Sequence, residues 1–433
     1  MAATSGFTGP GNLTIESSGD DFTADIVTGT HVQLAGTALG NLIIGKTGNT
    51  RQIDLSSDIT TTGTQTYNGP VRLVGGDRIV ATTNSNVIFA STVNSDGTQR
   101  ALTVTNGTGD TTFSGVIGGS APVKSLTITS DQLTAGAITL NGALTATLGG
   151  SSSITGVIAN GASTANLVKA GTGTLTLSGA NTYTGTTTIN AGDLTVSGSL
   201  HDSTAVTIAS GADYNVNASD TVASIEGAGN IVIASSQTLT AGDGNDKTLS
   251  GVISGAGNYI KAGSGTQTLS ASNTYTGTTQ VSAGTLTVSG SGRLSDSTAV
   301  TVDSGAVYNV AVSDTVASIA GAGSITLGSN TLTSGGSDAS TTFSGVISGT
   351  NGNLVKAGSG TLTLTGNNSY TGSTTISAGL LKIIRDNPTS YLAATSGFTG
   401  PGNLTIESSG DDFTADIVTG THVQLAGYRK IVF

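Results

Sequence analysis

The candidate bases for nucleophilic catalysis in this sequence are three histidines, His31, His201 and His422. A hydroxyl nucleophile needs such a base within hydrogen-bonding reach, and the chain has no cysteine to supply a thiolate instead. His31 and His422 lie in identical segments, so the three residues represent two sequence contexts. Each stands among polar or turn residues, which is typical of a surface histidine. The sequence therefore predicts no catalytic residue and no enzyme.

The densest acidic cluster is a second candidate for chemistry, because glycosidases act through two convergent carboxylates. It comprises Glu16, Asp20, Asp21 and Asp25, and it is repeated as Glu407, Asp411, Asp412 and Asp416. Closeness in sequence does not fix the separation of two carboxylates in space, so we interpret the cluster as a solvated turn or a weak Ca²⁺ site. A carbohydrate-acting β-helix enzyme is the alternative function.

Residues 243–246, with the sequence DGND, begin like a calcium-binding loop. The fifth position is Lys247 rather than an oxygen ligand, and the glycine-rich nonapeptide arrays of calcium-binding solenoids are not present. The weak calcium candidates are Asp20, Asp21, Asp243 and Asp246, and we expect no other metal and no cofactor.

Two further patterns have an interpretation of their own. Lys169, Lys261 and Lys356 recur in Lys-Ala-Gly turns, and we expect solvated charges that discourage lateral sheet pairing. Paired threonines could form a flat array that orders water and binds ice, which would make the chain an ice- or surface-binding protein. Their uneven spacing argues against this alternative, so we expect no thermal hysteresis; the pairs are Thr103/Thr105, Thr127/Thr129, Thr145/Thr147, Thr174/Thr176 and Thr361/Thr363.

Composition limits the partners of the chain. Only 9% of its 433 residues are charged, and the net charge is −11, which opposes binding to phosphate backbones or anionic lipid. No apolar run approaches the roughly 20 residues of a membrane-spanning helix. We therefore expect no nucleic-acid partner and no membrane insertion by this chain.

Period-two alternation is the dominant local pattern, and it predicts half-buried strands. Residues 174–178 (TLTLS), 285–289 (TLTVS) and 361–365 (TLTLT) show it, with glycine-containing turns between such segments. No amphipathic helical stretch is visible. The 8 Phe and 9 Tyr are too thinly spread for a string of bulky sandwich cores, so we favour an all-β parallel β-solenoid forming a single elongated rod.

A long repeat supports the solenoid. Tyr183, Tyr275 and Tyr370 lie in near-identical segments, separated by 92 residues (275 minus 183) and 95 residues (370 minus 275). A repeat of this length corresponds to four or five coils of roughly 19 to 23 residues, each rising about 4.8 Å. Arrays of this kind bury each unit against the next, which favours a scaffold over a single-pocket enzyme.

Residues 345–383 read GVISGTNGNLVKAGSGTLTLTGNNSYTGSTTISAGLLKI, and this segment resembles the autotransporter-associated β-strand repeat of Gram-negative surface proteins. Residues 251–288 and 156–196 show the same pattern, and residues 65–142 more loosely resemble filamentous haemagglutinin-type adhesins. The resemblance implies a right-handed parallel β-helix displayed outside the cell for adhesion, aggregation or matrix building. No protease motif of the kind found in enzymatic passengers is present.

Residues 2–36 are identical to residues 393–427, whereas the internal repeats have diverged. A solenoid end exposes unpaired backbone groups unless it is capped, so the duplicated ends could join subunits head to tail into an open fibre; duplication without a role is the alternative. The apolar residues expected at such an interface are Phe7, Leu13, Ile15, Phe398, Leu404, Ile406, Tyr428, Ile431 and Phe433.

The predicted organisation has four parts. Residues 1–36 form a terminal segment, 37–153 haemagglutinin-like coils, 154–391 the superrepeats of about 92–95 residues, and 392–433 the duplicated segment with a short C-terminal strand. We predict a non-enzymatic structural or adhesive solenoid at the bacterial cell surface or in a biofilm matrix. Its expected partners are further copies of itself and the glycans of host cells, neighbouring cells or matrix.

Overall fold

The computed structural model describes residues 10–19, 21–30, 39–385, 397–408, 424–425 and 431–432. The chain divides into two compact units, Met1–Val222 and Ala223–Phe433. The domain limits expected from the sequence stay predictions. Several residues singled out above lie outside the described residues, namely Phe7, Asp20, His31, Asp411, Asp412, Asp416, His422, Tyr428 and Phe433.

The first unit is built from short strands that alternate buried and partly exposed residues. They are β1 (Leu13–Ile15), β2 (Ile26–Val27), β3 (Leu42–Ile44), β4 (Ile53–Leu55), β5 (Ile59–Thr61), β6 (Gln65–Tyr67), β7 (Val71–Leu73), β8 (Arg78–Thr82), β9 (Val87–Phe89), β10 (Val93–Ser95), β11 (Leu102–Thr105), β12 (Thr111–Phe113), β13 (Leu126–Ser130), β14 (Leu133–Ala135), β15 (Ile138–Leu140), β16 (Ala143–Leu148), β17 (Ser152–Ile154), β18 (Ile158–Asn160), β19 (Asn166–Ala170), β20 (Thr174–Leu177), β21 (Thr187–Ile189), β22 (Gly192–Val196), β23 (Ala205–Ile208), β24 (Ala212–Val216) and β25 (Asp220–Val222).

The second unit has the same construction. Its strands are β26 (Ser224–Gly227), β27 (Asn230–Ile233), β28 (Thr238–Ala241), β29 (Lys247–Leu249), β30 (Ile253–Gly255), β31 (Asn258–Lys261), β32 (Thr266–Leu269), β33 (Thr279–Val281), β34 (Thr285–Val288), β35 (Ala299–Val302), β36 (Val307–Val310), β37 (Asp314–Val316), β38 (Ser318–Gly321), β39 (Ser324–Thr326), β40 (Thr331–Ser334), β41 (Thr341–Phe343), β42 (Val346–Ser348), β43 (Asn353–Lys356), β44 (Thr361–Leu364), β45 (Thr374–Ile376), β46 (Leu380–Arg385), β47 (Gly397–Thr399), β48 (Asn403–Ser408), β49 (Gln424–Leu425) and β50 (Ile431–Val432).

Strands pair in parallel with the equivalent strands on neighbouring coils. In the first unit one face stacks β3, β6, β9, β12, β14, β17, β20, β22 and β24, and another stacks β5, β8, β11, β13, β16, β19, β21 and β23. In the second unit one face stacks β29, β32, β34, β36, β39 and β42, and others stack β28, β31, β33, β35 and β38, and β37, β40, β43 and β45. This arrangement is a parallel β-solenoid, so the predicted fold class is confirmed.

The register gives the coil length directly. Leu144 pairs with Leu167, Leu167 with Thr187, and Thr187 with Val206, which are offsets of 23, 20 and 19 residues (167 minus 144, 187 minus 167, 206 minus 187). These values lie within the predicted 19 to 23. The described residues form no helix, and hence none that could cross a membrane.

The interior is filled by inward-facing residues stacked coil on coil. Most of the core is aliphatic, because a narrow coil leaves room for one or two branched side chains per strand. Aromatic rings also stack: Tyr67, Phe89 and Phe113 occupy one register position on successive coils, with ring centroids 4.9 and 4.8 Å apart. The Tyr67 hydroxyl donates to Oε1 of buried Gln65 at 2.6 Å, so its polar atom is satisfied inside the core.

Candidate functional surface and repeated internal network

His201, the histidine within the described residues, stabilises a turn through hydrogen bonds to Ser203. Its Nδ1 accepts the backbone N–H of Ser203 at 3.2 Å and lies 2.8 Å from the Ser203 hydroxyl. Both contacts join residues two apart in one turn, which is a local turn geometry rather than a base aligned with a distant nucleophile. His31 and His422 lie outside the described residues.

The described members of the acidic cluster do not converge. The Asp21 carboxylate accepts one hydrogen bond from the Thr50 hydroxyl and another from the Thr50 backbone N–H, the latter at 3.2 Å. The bond from the Thr50 hydroxyl lowers the pKa of the Asp21 carboxyl. Asp25 and Glu16 are exposed, and Glu407 forms an ion pair with Lys382 (Nζ to Oε2, 2.7 Å). Each carboxylate therefore lies in a separate local environment.

Asp243 and Asp246 bind backbone groups of nearby turns. The Asp243 carboxylate accepts from the backbone and side-chain amides of Asn245, at 2.7 and 2.9 Å, and Asp246 accepts the N–H of Thr266 at 2.7 Å. Within the described part of the chain, no three His, Cys, Asp or Glu side chains come together as a metal site. The calcium assignments stay predictions.

The repeated lysines overturn an expectation from the sequence. Lys169, Lys261 and Lys356 are 0%, 1% and 1% exposed, so they are not solvated turn charges. The ammonium of Lys169 donates to the carbonyls of Ala170 (3.0 Å), Gly171 (2.9 Å) and Ala191 (3.1 Å). Lys261 and Lys356 each make the equivalent three bonds. Three carbonyls match the three donors of an ammonium group.

Strand alternation explains why these lysines face inward. Leu167 is buried, and Lys169 lies two residues on in the same strand, so both side chains point to the same side. The residue stacked before each buried lysine is small: Ala146 before Lys169, Ala241 before Lys261 and Ser334 before Lys356. Burial lowers the pKa of the Lys169 ammonium to about 8, an effect that the charge of Asp193 opposes.

The recurring tyrosine segments are also part of the interior. Tyr183, Tyr275 and Tyr370 are fully buried, and the hydroxyl of each lies within hydrogen-bonding distance of a threonine hydroxyl four residues on, at 2.5, 2.5 and 2.6 Å. The pattern Tyr-Thr-Gly-Thr-Thr, with Ser at the fourth position in the third copy, therefore encodes a buried hydroxyl pair together with its turn.

A repeated asparagine ties neighbouring coils together. Oδ1 of Asn181 accepts the N–H of Ile158 at 3.0 Å, and Nδ2 donates to the carbonyls of Gly179 and Ser199, at 3.0 and 2.8 Å. Asn273 and Asn368 also accept a backbone N–H from the preceding coil and donate to the carbonyl two residues before them. Sequence reasoning did not single out these residues, although each occurs two positions before the repeated tyrosine.

Two buried aspartates form a further repeated element. The Tyr214 hydroxyl donates to Oδ2 of Asp220 at 2.9 Å, and the N–H of Leu200 donates to Oδ1 at 3.1 Å. Asp314 receives the hydroxyl of Tyr308 and a backbone N–H in the same way. Burial raises the pKa of the Asp220 carboxyl to about 6, against the lowering effect of its hydrogen bonds, and burial also raises the pKa of Asp314.

The outward positions form rows of hydroxyl and amide groups, which we call the hydroxyl ladders. In each ladder one polar side chain follows another on successive coils, about 4.8 Å apart. The first-unit ladder is Thr112, Thr134, Ser153, Thr176, Thr195 and Asn215. The second-unit ladder is Thr248, Thr268, Thr287, Asn309, Thr326 and Ser348. These rows are polar but uncharged, and their side chains are exposed or partly exposed, except for Thr287, which is buried.

Three of the five threonine pairs form a short array. Thr103 and Thr105 align with Thr127 and Thr129, which align with Thr145 and Thr147 on the next coil. The array ends on both sides, at Ile79 and Ala81 before it and at Val168 and Ala170 after it. Strict register is thus limited to three coils.

The described interface candidates lie in the stacked strands near the chain ends. Ile15, Phe398, Leu404 and Ile406 are buried, and Leu13 is partly exposed. Ile431 belongs to β50, which pairs with β48. Their assignment to an interface between subunits stays a prediction.

Together these features define a class: a parallel β-solenoid made of recurring segments whose lysine, tyrosine and asparagine side chains are bonded internally. Residues 167–196, 260–288 and 354–383 match the family described as passenger-associated-transport-repeat. Each matched segment contains one buried lysine and one buried tyrosine. The chain therefore carries autotransporter-passenger repeats, and the resemblance seen in the sequence is confirmed.

A relative of this chain is the adhesin BmaC autotransporter of Brucella suis biovar 1 (strain 1330), which is 39% identical over 143 residues. The match covers 31% of this chain and 4% of the relative, so the chain spans a small part of that protein's length. No solved structure gives a significant match.

Proposed function

We propose that this chain is a non-enzymatic adhesive β-solenoid that acts outside a Gram-negative cell, at its surface or in the surrounding matrix. The observation that carries the proposal is the set of three passenger repeats folded into a continuous parallel ladder within each unit. The relative described as an adhesin supports the same function. Export to the cell surface follows from the passenger class and is part of the proposal.

The hydroxyl ladders supply the binding surface in this proposal. Rows of Thr, Ser and Asn present donors and acceptors that suit the hydroxyl groups of cell-surface or matrix glycans. One such contact is weak, but many contacts on one molecule, and many molecules on one surface, raise the overall binding strongly. The net charge of −11 favours neutral partners over polyanions.

Retention of protein-coated beads on glycan-coated or host-cell surfaces tests adhesion. The number of retained beads should rise more steeply than in proportion to the coating density, because attachment depends on simultaneous contacts. The triple variant Thr134→Val, Thr176→Val and Thr195→Val removes hydroxyls from the first-unit ladder and should lower retention about threefold or more. The matched control replaces the same three residues with Ser, which keeps the hydroxyls and should retain the beads like the unmodified chain. Equal retention of coated and uncoated beads would contradict the proposal.

The non-enzymatic part of the proposal has its own measurement. Incubation of the protein with the glycans that it retains should release no new reducing ends over many hours. Time-dependent release that scales with protein concentration would revive the carbohydrate-acting alternative.

We further propose that copies of the chain associate end to end through the duplicated segments. The support is the residue-for-residue identity of 2–36 and 393–427 and the strand structure of the described parts of both copies. Light scattering and negative-stain microscopy of concentrated protein should show assemblies longer than one subunit. Monodisperse monomers at high concentration would contradict spontaneous assembly.

A further inference from the structure

The two identical segments are paired along opposite edges. In the N-terminal copy, β1 pairs with the following coil: Leu13 aligns with Leu42 and Ile15 with Ile44, and the N–H of Leu13 donates to the Asn41 carbonyl at 2.8 Å. Because backbone groups alternate along a strand, the N–H groups of the residues next to Leu13 point to the other edge. No described strand pairs with that edge.

The C-terminal copy uses the other edge as well. In β48, which repeats β1 at an offset of 391 residues (404 minus 13), Leu404 aligns with Leu381 and Ile406 with Ile383 of the preceding strand β46. The N–H of Asn403 donates to the Gly379 carbonyl at 2.9 Å. Strand β46 therefore pairs with one edge of the C-terminal copy. The same edge of the N-terminal copy, in β1, is paired with no described strand.

Side chains report the same difference. Leu404 is 1% exposed, whereas its equivalent Leu13 is partly exposed. Glu407 forms an ion pair with Lys382 on β46, whereas the equivalent Glu16 is exposed. Within the described residues, the edge that β46 covers in the C-terminal copy is thus not paired with another strand in the N-terminal copy.

A glycine pair within the identical segments bears on the fit to this site. A Cβ at Gly402 would overlap the Ile376 side chain and lie 2.9 Å from its carbonyl oxygen, so this position requires glycine. A Cβ at the equivalent Gly11 would have no neighbour within 4 Å. Gly11 therefore has, like Gly402, no side chain that would prevent close packing against Ile376 of another copy.

We propose that the N-terminal segment of a second copy of this chain binds strand β46 in place of the C-terminal segment, which joins the two copies head to tail. The proposal rests on the end-to-end assembly proposed above and specifies its joint. The register is fixed by the identity: Leu13 of the incoming copy aligns with Leu381, Ile15 with Ile383, and Glu16 reaches Lys382. The C-terminal segment is then an internal plug that occupies this site until it is displaced.

Valine substitutions at the two equivalent glycines test the joint in the full chain. Gly402→Val prevents the plug from packing on Ile376 and leaves β46 open to the N-terminal segment of another copy. Its weight-average mass by light scattering should rise with concentration from 42.2 kDa to twofold or more. The double variant Gly11→Val and Gly402→Val should return to monomer, because neither copy of the segment then fits against Ile376.

A control variant separates the joint from misfolding. Gly136→Val places a side chain at another glycine with no neighbour within 4 Å and should leave the mass unchanged. Oligomers of Gly402→Val that persist in the double variant, or a Gly402→Val chain that stays monomeric at all concentrations, would overturn the proposal.

Cross-linking gives a second measurement. The chain has no cysteine, and Lys382 aligns with Thr405, the equivalent of Thr14. In the Gly402→Val background, a chain with Thr14→Cys mixed with a chain with Lys382→Cys should form a disulfide-linked dimer, since paired strands lie about 4.8 Å apart. Exposed Thr60→Cys in place of Thr14→Cys should not. Absence of the Thr14–Lys382 link would overturn the joint. If the unmodified chain stays monomeric while the Gly402→Val chain assembles, the result contradicts the spontaneous assembly of the unmodified chain but not the proposed joint.

Discussion

At the residue scale, the buried lysines show how a charged group can be part of a solenoid core. An ammonium removed from water is costly unless hydrogen bonds replace the lost hydration. Each of the three lysines meets this requirement with three backbone carbonyls from the turn that follows it and from the next coil. The lysine thus organises the Ala-Gly turn around its own charge, and the same arrangement is copied in each passenger repeat.

Replacing one of these lysines should destabilise the protein. Lys261→Met keeps the length of the side chain but leaves three carbonyls without their donor, and we expect a loss of about 2–4 kcal/mol in the free energy of unfolding. Lys124→Met is the matched control, because Lys124 pairs with Asp77 at the surface with both side chains 55% exposed, and it should change stability by less than about 0.5 kcal/mol. Denaturant unfolding measures both. Equal losses of unfolding free energy in Lys261→Met and Lys124→Met would show that the three bonds of the buried ammonium do not stabilise the fold.

The buried aspartates give the protein a specific pH dependence. Burial raises the pKa of Asp220 to about 6 from 3.8, with the nearby charge of Asp202 acting in the same direction. Between these two values the Asp220 carboxyl binds a proton more readily in the folded state than in the unfolded state, so its contribution to stability is greatest below about pH 4 and is lost as the pH rises to about 6. A shift of this size corresponds to about 2–3 kcal/mol.

Asp220→Asn should remove this contribution. We expect the difference in unfolding free energy between pH 4.5 and pH 7.5 to shrink by about 2 kcal/mol in the variant. The exposed Asp296 supplies the control, since Asp296→Asn should keep the pH dependence of the unmodified chain. An unchanged pH profile in Asp220→Asn would contradict the assigned role of the buried carboxyl.

At the element scale, glycines form columns at the corners where coils stack. A Cβ at Gly345 would overlap the carbonyl oxygen of Gly323 on the coil before it, and a Cβ at Gly366 would overlap that of Gly345. The column Gly156, Gly179 and Gly198 repeats this contact in the first unit. The glycines of these Ser-Gly and Thr-Gly turns thus allow successive backbones to approach closely, in addition to any role in turn conformation.

Alanine at such a corner should be costly even though it adds a single methyl group. Gly345→Ala forces the backbones of two coils apart, and we expect a loss of about 3 kcal/mol or more. Gly336→Ala, at an exposed position with no neighbour within 4 Å, should lie within about 0.5 kcal/mol of the unmodified chain. Thermal unfolding of the two variants side by side makes the comparison. Tolerance of Gly345→Ala would mean that the coils can move apart freely.

At the scale of the whole molecule, stability is the sum of contacts between neighbouring coils. Strands pair with the coil before and the coil after, so a strand with two paired neighbours should open less readily than one with a single neighbour.

Hydrogen exchange should follow this order. Amides of β13, which pairs with β11 and β16, should exchange far more slowly than amides of β1, for which β3 is the described neighbour. Exchange followed by mass spectrometry of peptic fragments resolves these segments. Uniform protection across both strands would indicate all-or-none opening of the chain.

The sequence by itself determined the fold class, the coil length and the passenger repeats, because alternation with period two and repetition of whole segments are local patterns that need no knowledge of distant contacts. Alternation also contained the burial of Lys169, since Leu167 two residues earlier faces the core. The positive charge of lysine nevertheless led to the expectation of a solvated side chain, although the alternation placed it on the inward side.

Only the tertiary structure decided which polar groups meet. The bond from Lys169 to the Ala191 carbonyl, the bond from the Leu200 N–H to Asp220 and the hydroxyl ladders depend on the register between coils some 20 residues apart, and an offset of one residue would turn every side chain to the other face. The two end segments have identical sequences, so the sequence could not reveal that they pair differently. The N-terminal segment pairs with the coil after it, and the C-terminal segment pairs with the coils before and after it. That difference arises from which edge of the strand the neighbouring coils occupy, and a strand's own residues are the same on both edges.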